Sequence, residues 1–151
     1  MKEIIVAFLF LVVYNSLFGQ RYEIHPSTKE AKDLIYKADS LFFENNIEES
    51  INLYNRVHEI EGYSTDLMLN LANMYSQDND SIASFKTLNL IVDSGFIDIQ
   101  YLSKNTDFSN LVKSPKWFAL INRCLDNLAA LTIKEGIKYI PDWACNYNIM
   151  V

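Results

Sequence analysis

Glycine, proline, cysteine and histidine are all scarce in this chain of 151 residues, with four, three, two and two copies. So few glycines and prolines exclude collagen-like and low-complexity classes and argue against a turn-rich β-sandwich. Two cysteines and two histidines leave little material for a metal cage, and neither a metal nor a cofactor is expected. Basic side chains are in deficit as well, 13 against 19 acidic ones, for a net charge of −6. That balance works against sequence-independent binding of nucleic acid, because neutralising phosphates needs a basic surface. What the chain does have is apolar residues, half of the total. That suffices for one globular domain or a short repeat array.

The first 20 residues read as an export signal. Lys2 supplies a positive start, Ile4 to Val13 form an unbroken apolar run, and Ser16-Leu17-Phe18-Gly19 makes the exit, with small Gly19 before the cut, large Leu17 two residues earlier, and Gln20 as the new first residue after cleavage. The rival reading is an uncleaved anchor, for which the run is shorter than the ~20 residues a spanning helix needs. Membrane contact is expected only through this segment, if it stays uncleaved. The expected destination is outside the inner membrane: periplasmic, outer-membrane-associated or secreted. In such an oxidising space Cys124 and Cys145 either form a bridge, worth about 3 kcal/mol by chain entropy, or remain two buried thiols.

The punctuation predicts helices. Gly62, Gly95 and Gly136 each close a stretch of helical apolar spacing, where a left-handed residue is wanted. Pro26 precedes the first such stretch, and Pro115 follows Ser114 as a first-turn residue. Ser27 with Glu30, and Asn46 with Glu49, have capping-box spacing, and Asp80 is placed to cap a helix starting near Ser81. Helices are therefore predicted at 28–45, 47–61, 66–77, 81–94 and 115–135, with short helical turns at 98–104 and 108–112. No run of strand alternation appears, so the fold class is all-α.

The helices come in two copies. A shift of 34 residues places Ala38 on Ala72, Leu41 on Tyr75, Ser50 on Ser84, Tyr54 on Leu88 and Val57 on Ile91. Small residues fall on small ones and large apolar residues on large ones. The small pairs fit where two helices approach closely, and the large ones fit the space between. With this period and these positions, the chain resembles the tetratricopeptide repeat family over about residues 31–97. The departures are Leu34 and Met68 where a Trp is common, Val57 and Ile91 at the second small position of the second helix, and Gly62 and Phe96 where a Pro usually links repeats.

The following segment, Gly95-Phe96, Asp107-Phe108, Leu111, Pro115 and Trp117-Phe118, is similar to the closing segment of many exported bacterial tetratricopeptide proteins. Trp117, Leu120, Ile121, Cys124, Leu125, Leu128 and Leu131 recur at three and four, an apolar stripe able to cover the end of the second repeat. The expected architecture is an antiparallel helix-pair solenoid: two repeats over 27–97, a helical capping segment over 98–136, and an apolar tail over 137–151.

No catalytic constellation stands out. A Cys–His pair drawn from Cys124, Cys145, His25 and His58 has no favourable spacing, and Gly-x-Ser-x-Gly and phosphate-cradling glycine loops are absent. Asp78-Asn79-Asp80 opens like a calcium loop but lacks the later Gly and Glu. The chain is therefore expected to be a non-enzymatic module that binds a protein or peptide; the alternative is an accessory helical subunit or truncated helical region of an envelope enzyme or transport assembly. The resemblance implies a concave groove lined by Lys32, Ile35, Tyr36, Asp39 and Phe43 in the first repeat and by Leu69, Asn70, Asn73 and Gln77 in the second. On the competing reading, Tyr36 and Phe43 are core residues and the amides are merely solvated. Capture of a terminal carboxylate is set aside, because Ile35 and Asp39 stand where that subtype has a Lys and an Asn.

Overall fold

The computed structural model describes residues 22–135. The expected signal segment, Gly136 and the tail, with Cys145, lie outside the described residues. Six α-helices follow in order: α1 Lys29–Phe43, α2 Ile47–Glu61, α3 Thr65–Gln77, α4 Ser81–Asp93, α5 Ile99–Lys104 and α6 Pro115–Glu135. A 3₁₀ turn, Thr106–Phe108, stands between α5 and α6. Among the described residues there is no strand. The chain is all-α, with helices packed in antiparallel pairs. α1 pairs with α2 and α3 with α4, α2 stacks on α3, and α6 packs on α4 and α5.

Both hairpins are closed by the same two devices. In each, a buried serine of the second helix donates to a buried alanine carbonyl of the first: Ser50 Oγ to Ala38 O at 2.7 Å, and Ser84 Oγ to Ala72 O at 2.8 Å. All four residues are fully buried, since only small side chains let the backbones come this close. In each turn an asparagine takes positive φ, Asn45 at 63° and Asn79 at 62°. Around them the bonds repeat as well: Asn46 N to Leu41 O and Asp80 N to Tyr75 O, both at 2.8 Å. This is the left-handed helix ending that glycine usually provides and asparagine tolerates. Gly95, at φ 98°, ends α4 in the same way through Phe96 N to Ile91 O. The large apolar pairs fill the space between helices, with Tyr54, Val57, Leu88 and Ile91 buried and Leu41 and Tyr75 half-buried.

The caps differ in detail from expectation. Thr28, not Ser27, is the N-cap of α1, accepting from Ala31 N at 3.1 Å. Ser27 is instead drawn to Glu61 at the end of α2. Asn46 stands at the N-cap of α2 without a side-chain cap bond, its backbone bent to φ −90°, ψ 62°. Asp80 does cap α4, accepting from Ala83 N at 2.9 Å, and Ser114 Oγ accepts from Lys116 N at the start of α6. The turn predicted at 108–112 is a 3₁₀ turn ending at Phe108, followed by turns to residue 113.

α6 covers the end of the second hairpin. Its contacts advance in step with α4: Lys116 lies over the Phe85 ring, Arg123 binds Asn89 and Asp93, and Asn127 Nδ2 donates to Val92 O and Phe96 O. The two helices therefore run side by side in one direction. Trp117, Leu120 and Cys124 are buried, and Ile121, Leu125 and Leu128 half-buried. Past Asn127 the helix overruns the end of α4, so the stripe fades: Leu131 is 37 % exposed and Ile133 83 %.

Candidate peptide-binding groove

The residues expected to line a groove divide sharply between the two repeats. On α1, Lys32 and Tyr36 are exposed, and Ile35 and Asp39 half-buried. These four line a cleft of about 420 Å³, whose other walls are Tyr54 and the segment from Tyr22 to Pro26. Lys32 Nζ lies 5.9 Å from the centre of the Tyr36 ring, within cation–π range. At the floor, the buried Tyr54 donates its hydroxyl to Asp39 Oδ1 at 2.7 Å. A large exposed aromatic (Tyr36, 65 % exposed) above a fixed carboxylate gives the cleft an apolar wall and a polar base. Phe43 does not line it; it is exposed near the end of α1, edge-on to Phe42.

On α3 the groove is filled. Leu69, Asn70 and Asn73 are buried and Gln77 is half-buried. Asn70 holds the backbone of Tyr22, donating from Nδ2 to Tyr22 O at 2.9 Å and accepting from Tyr22 N at 3.1 Å. Asn73 Nδ2 donates to the Tyr101 hydroxyl at 2.9 Å, and Asn73 Oδ1 accepts from Asn105 Nδ2 at 3.1 Å. Nearby, Ser76 Oγ donates to Asp107 O at 2.6 Å and Asn110 Nδ2 donates to Ser76 O at 2.8 Å. The amides of Asn70 and Asn73, expected to be solvent-facing, are thus bonded inward, because two segments close over α3: the N-terminal residues from one side and α5 with its 3₁₀ turn from the other.

The N-terminal segment is the part of the site that sequence periodicity missed. Tyr22, Ile24 and Pro26 are half-buried while Glu23 and His25 are exposed, the alternation of an extended chain lying on a surface. That period-two pattern, ending in a proline that biases its predecessor towards extended backbone, is the signal that could have found it. The Tyr22 ring packs on the Tyr101 ring, centroids 4.6 Å apart and planes at 57°. Its hydroxyl reaches Asp98 Oδ2 at a long 3.4 Å. Burial, and then the Asp98 and Asp66 carboxylates, push the Tyr22 phenol up to about 12. Burial also raises Tyr101, against the opposing hydrogen bonds from Asn73 and Asn105.

At its far end the segment is clamped by Glu61. Oε2 accepts from Ser27 Oγ at 2.6 Å and Ser27 N at 3.0 Å, and Oε1 from Thr28 Oγ1 at 2.9 Å and Thr28 N at 3.0 Å. Four donors to one carboxylate, those of Ser27 foremost, bring Glu61 down to about 2.

The other polar residues singled out in the sequence have local roles. His58, in the last turn of α2, donates from Nδ1 to Gly62 O at 2.9 Å. Among the described residues no group of three or more His, Cys, Asp or Glu side chains converges as a metal site would. Cys124 lies in the core between α6 and its neighbours; burial pushes its thiol up to about 11, with Arg123 opposing. Its expected bridge to Cys145 falls outside the described residues. No helix among the described residues is long and apolar enough to cross a membrane. No protein-family model matches the chain, and neither a curated protein nor a solved structure matches it.

Proposed function

We propose that this chain is a tetratricopeptide-like helical repeat module, exported to a bacterial envelope, that binds a protein or peptide and carries out no chemistry itself. The observation that carries the reading is the cleft between α1 and the Tyr22–Pro26 segment, where Tyr36 stands exposed over the Asp39–Tyr54 pair. An exposed aromatic anchor beside a half-buried aliphatic side chain and a fixed acceptor suits a polypeptide laid along the groove. The doubled Ser-to-Ala carbonyl bond and the doubled asparagine turn support the repeat assignment, because they recur at the family's period.

Site-specific photo-crosslinking in the native host tests the function. A photoreactive residue in place of Tyr36 is expected to capture a discrete protein, and the same residue in place of Ile82, exposed on α4, is not. Tyr36→Ala combined with Lys32→Glu, both surface changes, should abolish recovery of that protein. Equal capture from positions 36 and 82, or unchanged recovery by the double variant, would withdraw the cleft as the binding site. Export is checked separately: the N-terminal peptide of the purified mature protein should begin at Gln20.

A further inference from the structure

We infer that Asn70 and the Tyr101 ring form a site for an extended peptide bearing an aromatic side chain, and that the chain's own Tyr22 segment occupies this site as an exchangeable stand-in. This deepens, and rests on, the reading of the concave face as polypeptide-binding. The side-chain amide of Asn70 pairs with both the N–H and the C=O of one residue, Tyr22. A carboxamide offers a donor and an acceptor side by side, as a peptide unit does, so this contact reads backbone and accepts any residue except proline. Selectivity comes from the adjoining ring. Tyr22 lies 4.6 Å from Tyr101, centroid to centroid, and Tyr101 is itself fixed by Asn73. An aromatic side chain is therefore preferred at the position whose backbone Asn70 holds.

Three features argue that this occupant exchanges rather than serving as a permanent strut. Residues 22–26 have no regular secondary structure and turn Glu23 and His25 to solvent. The clamp at the far end, Ser27 and Thr28 on Glu61, is exposed. The fully buried core begins at Ala31, inside α1, and only Tyr22 and Ile24 of the segment pack against it, half-buried, so lifting the segment uncovers those two contacts and leaves the paired helices packed. Asn70, by contrast, is only 1 % exposed. A buried amide demands partners, and any peptide that displaces Tyr22 must supply the same two bonds. The segment also forms one wall of the 420 Å³ cleft, so its departure joins that cleft to the Asn70 site in one continuous groove.

The test uses the full chain and a fluorescent, N-acetylated Tyr-Glu-Ile-His-Pro peptide followed by anisotropy. The tethered segment competes at a high effective concentration, so the wild-type chain should bind the peptide weakly. Tyr22→Ala should tighten binding at least tenfold, with its thermal melt still cooperative. Methylating the backbone nitrogen of the peptide's tyrosine removes the donor to Asn70 and needs no change in the protein. It should weaken binding at least tenfold, as should replacing that tyrosine by alanine. Asn70→Ala in the Tyr22→Ala chain should have the same effect. Equal affinity of wild type and Tyr22→Ala, or of the methylated and plain peptides, would overturn the inference. So would concentration-dependent dimerisation of the wild type without peptide binding, which would make a second copy the occupant. The cleft variant Tyr36→Ala/Lys32→Glu separates the two readings. If it loses the crosslinked protein while the Asn70 effects fail, only the inference falls; if the Asn70 effects hold while it keeps that protein, only the cleft assignment falls.

Discussion

The Ser84 hydroxyl donates to the Ala72 carbonyl at 2.8 Å, and 34 residues earlier Ser50 makes the same bond to Ala38 at 2.7 Å. A hydroxyl at this point joins the two helices of a hairpin where there is no room for a larger group. Ser84→Ala keeps the close approach and removes only the bond, and should cost about 1 kcal/mol. Ser50→Ala should cost the same within a few tenths. Urea denaturation of the two variants checks this, and a difference of more than about 1 kcal/mol between them would show that the hairpins are not equivalent.

Ala72→Glu asks more of the same contact. Ala72 is fully buried against α4, so the new side chain overpacks the joint and brings in an unpaired carboxylate. A loss of roughly 3 kcal/mol or more is expected. A change within about 0.5 kcal/mol, normal for a surface position, would contradict the packing.

The Glu61 clamp makes the N-terminal segment sensitive to acid. Its carboxyl lies at about 2 in the fold against an ordinary 4.5, a depressed value. Its contribution is therefore present above pH 4.5 and lost as pH falls through about 2. The amide signals of Ser27 and Thr28 should hold steady from pH 7 to about 4.5 and shift below it. In Glu61→Gln they should lose that titration. A midpoint for these amides near 4.5 in the wild type would show that the clamp is not formed.

Tyr22 should report the opposite limit. Its phenol is raised from 10.0 to about 12, so the docked form favours the neutral ring. The contribution is complete below pH 10 and lost as pH rises through about 12. Ring signals of Tyr22 should titrate near pH 12 instead of the ordinary 10.0, and in Asp98→Asn the midpoint should move down. A midpoint near 10.0 would place Tyr22 in solvent.

Cys124 should be chemically silent. With its thiol buried and raised to about 11, little thiolate exists near neutrality and none is accessible. In a Cys145→Ser chain, a thiol reagent at pH 8 should react at least a hundredfold faster in denaturant than in buffer. Comparable rates would mean that α6 does not cover this residue.

The helices were legible in the sequence because their ends are marked by residues with distinctive backbone preferences, proline with its fixed φ and glycine and asparagine with their tolerance of positive φ. Pro115, Gly95 and the Asn45 and Asn79 turns all stand where the chain reverses or restarts, and the observed bounds fall within two residues of those expected. Ser27 was misread as a cap because its actual partner, Glu61, is 34 residues away; a local motif carries no trace of so distant a competitor. The register of α1 put Lys32, Ile35, Tyr36 and Asp39 on one face, and these four line a cleft, whereas Phe43, one turn further on, does not. The second-repeat half was not legible, because the amides of Asn70 and Asn73 look like solvent-facing groups until their partners, 28 to 48 residues away in sequence, fold over them. Tyr22 itself escaped notice because a five-residue extended segment leaves no mark at the helical period.

The matching asparagine turns make the array modular at the level of the gene. Asn45 and Asn79 reverse the chain with the same backbone bonds, so an in-frame duplication of residues 46–79 would begin and end on junctions this molecule already makes. The longer protein would gain one further hairpin and a longer row of paired helices without any new kind of joint. Growth and shrinkage by whole units is thus open to this chain through recombination alone.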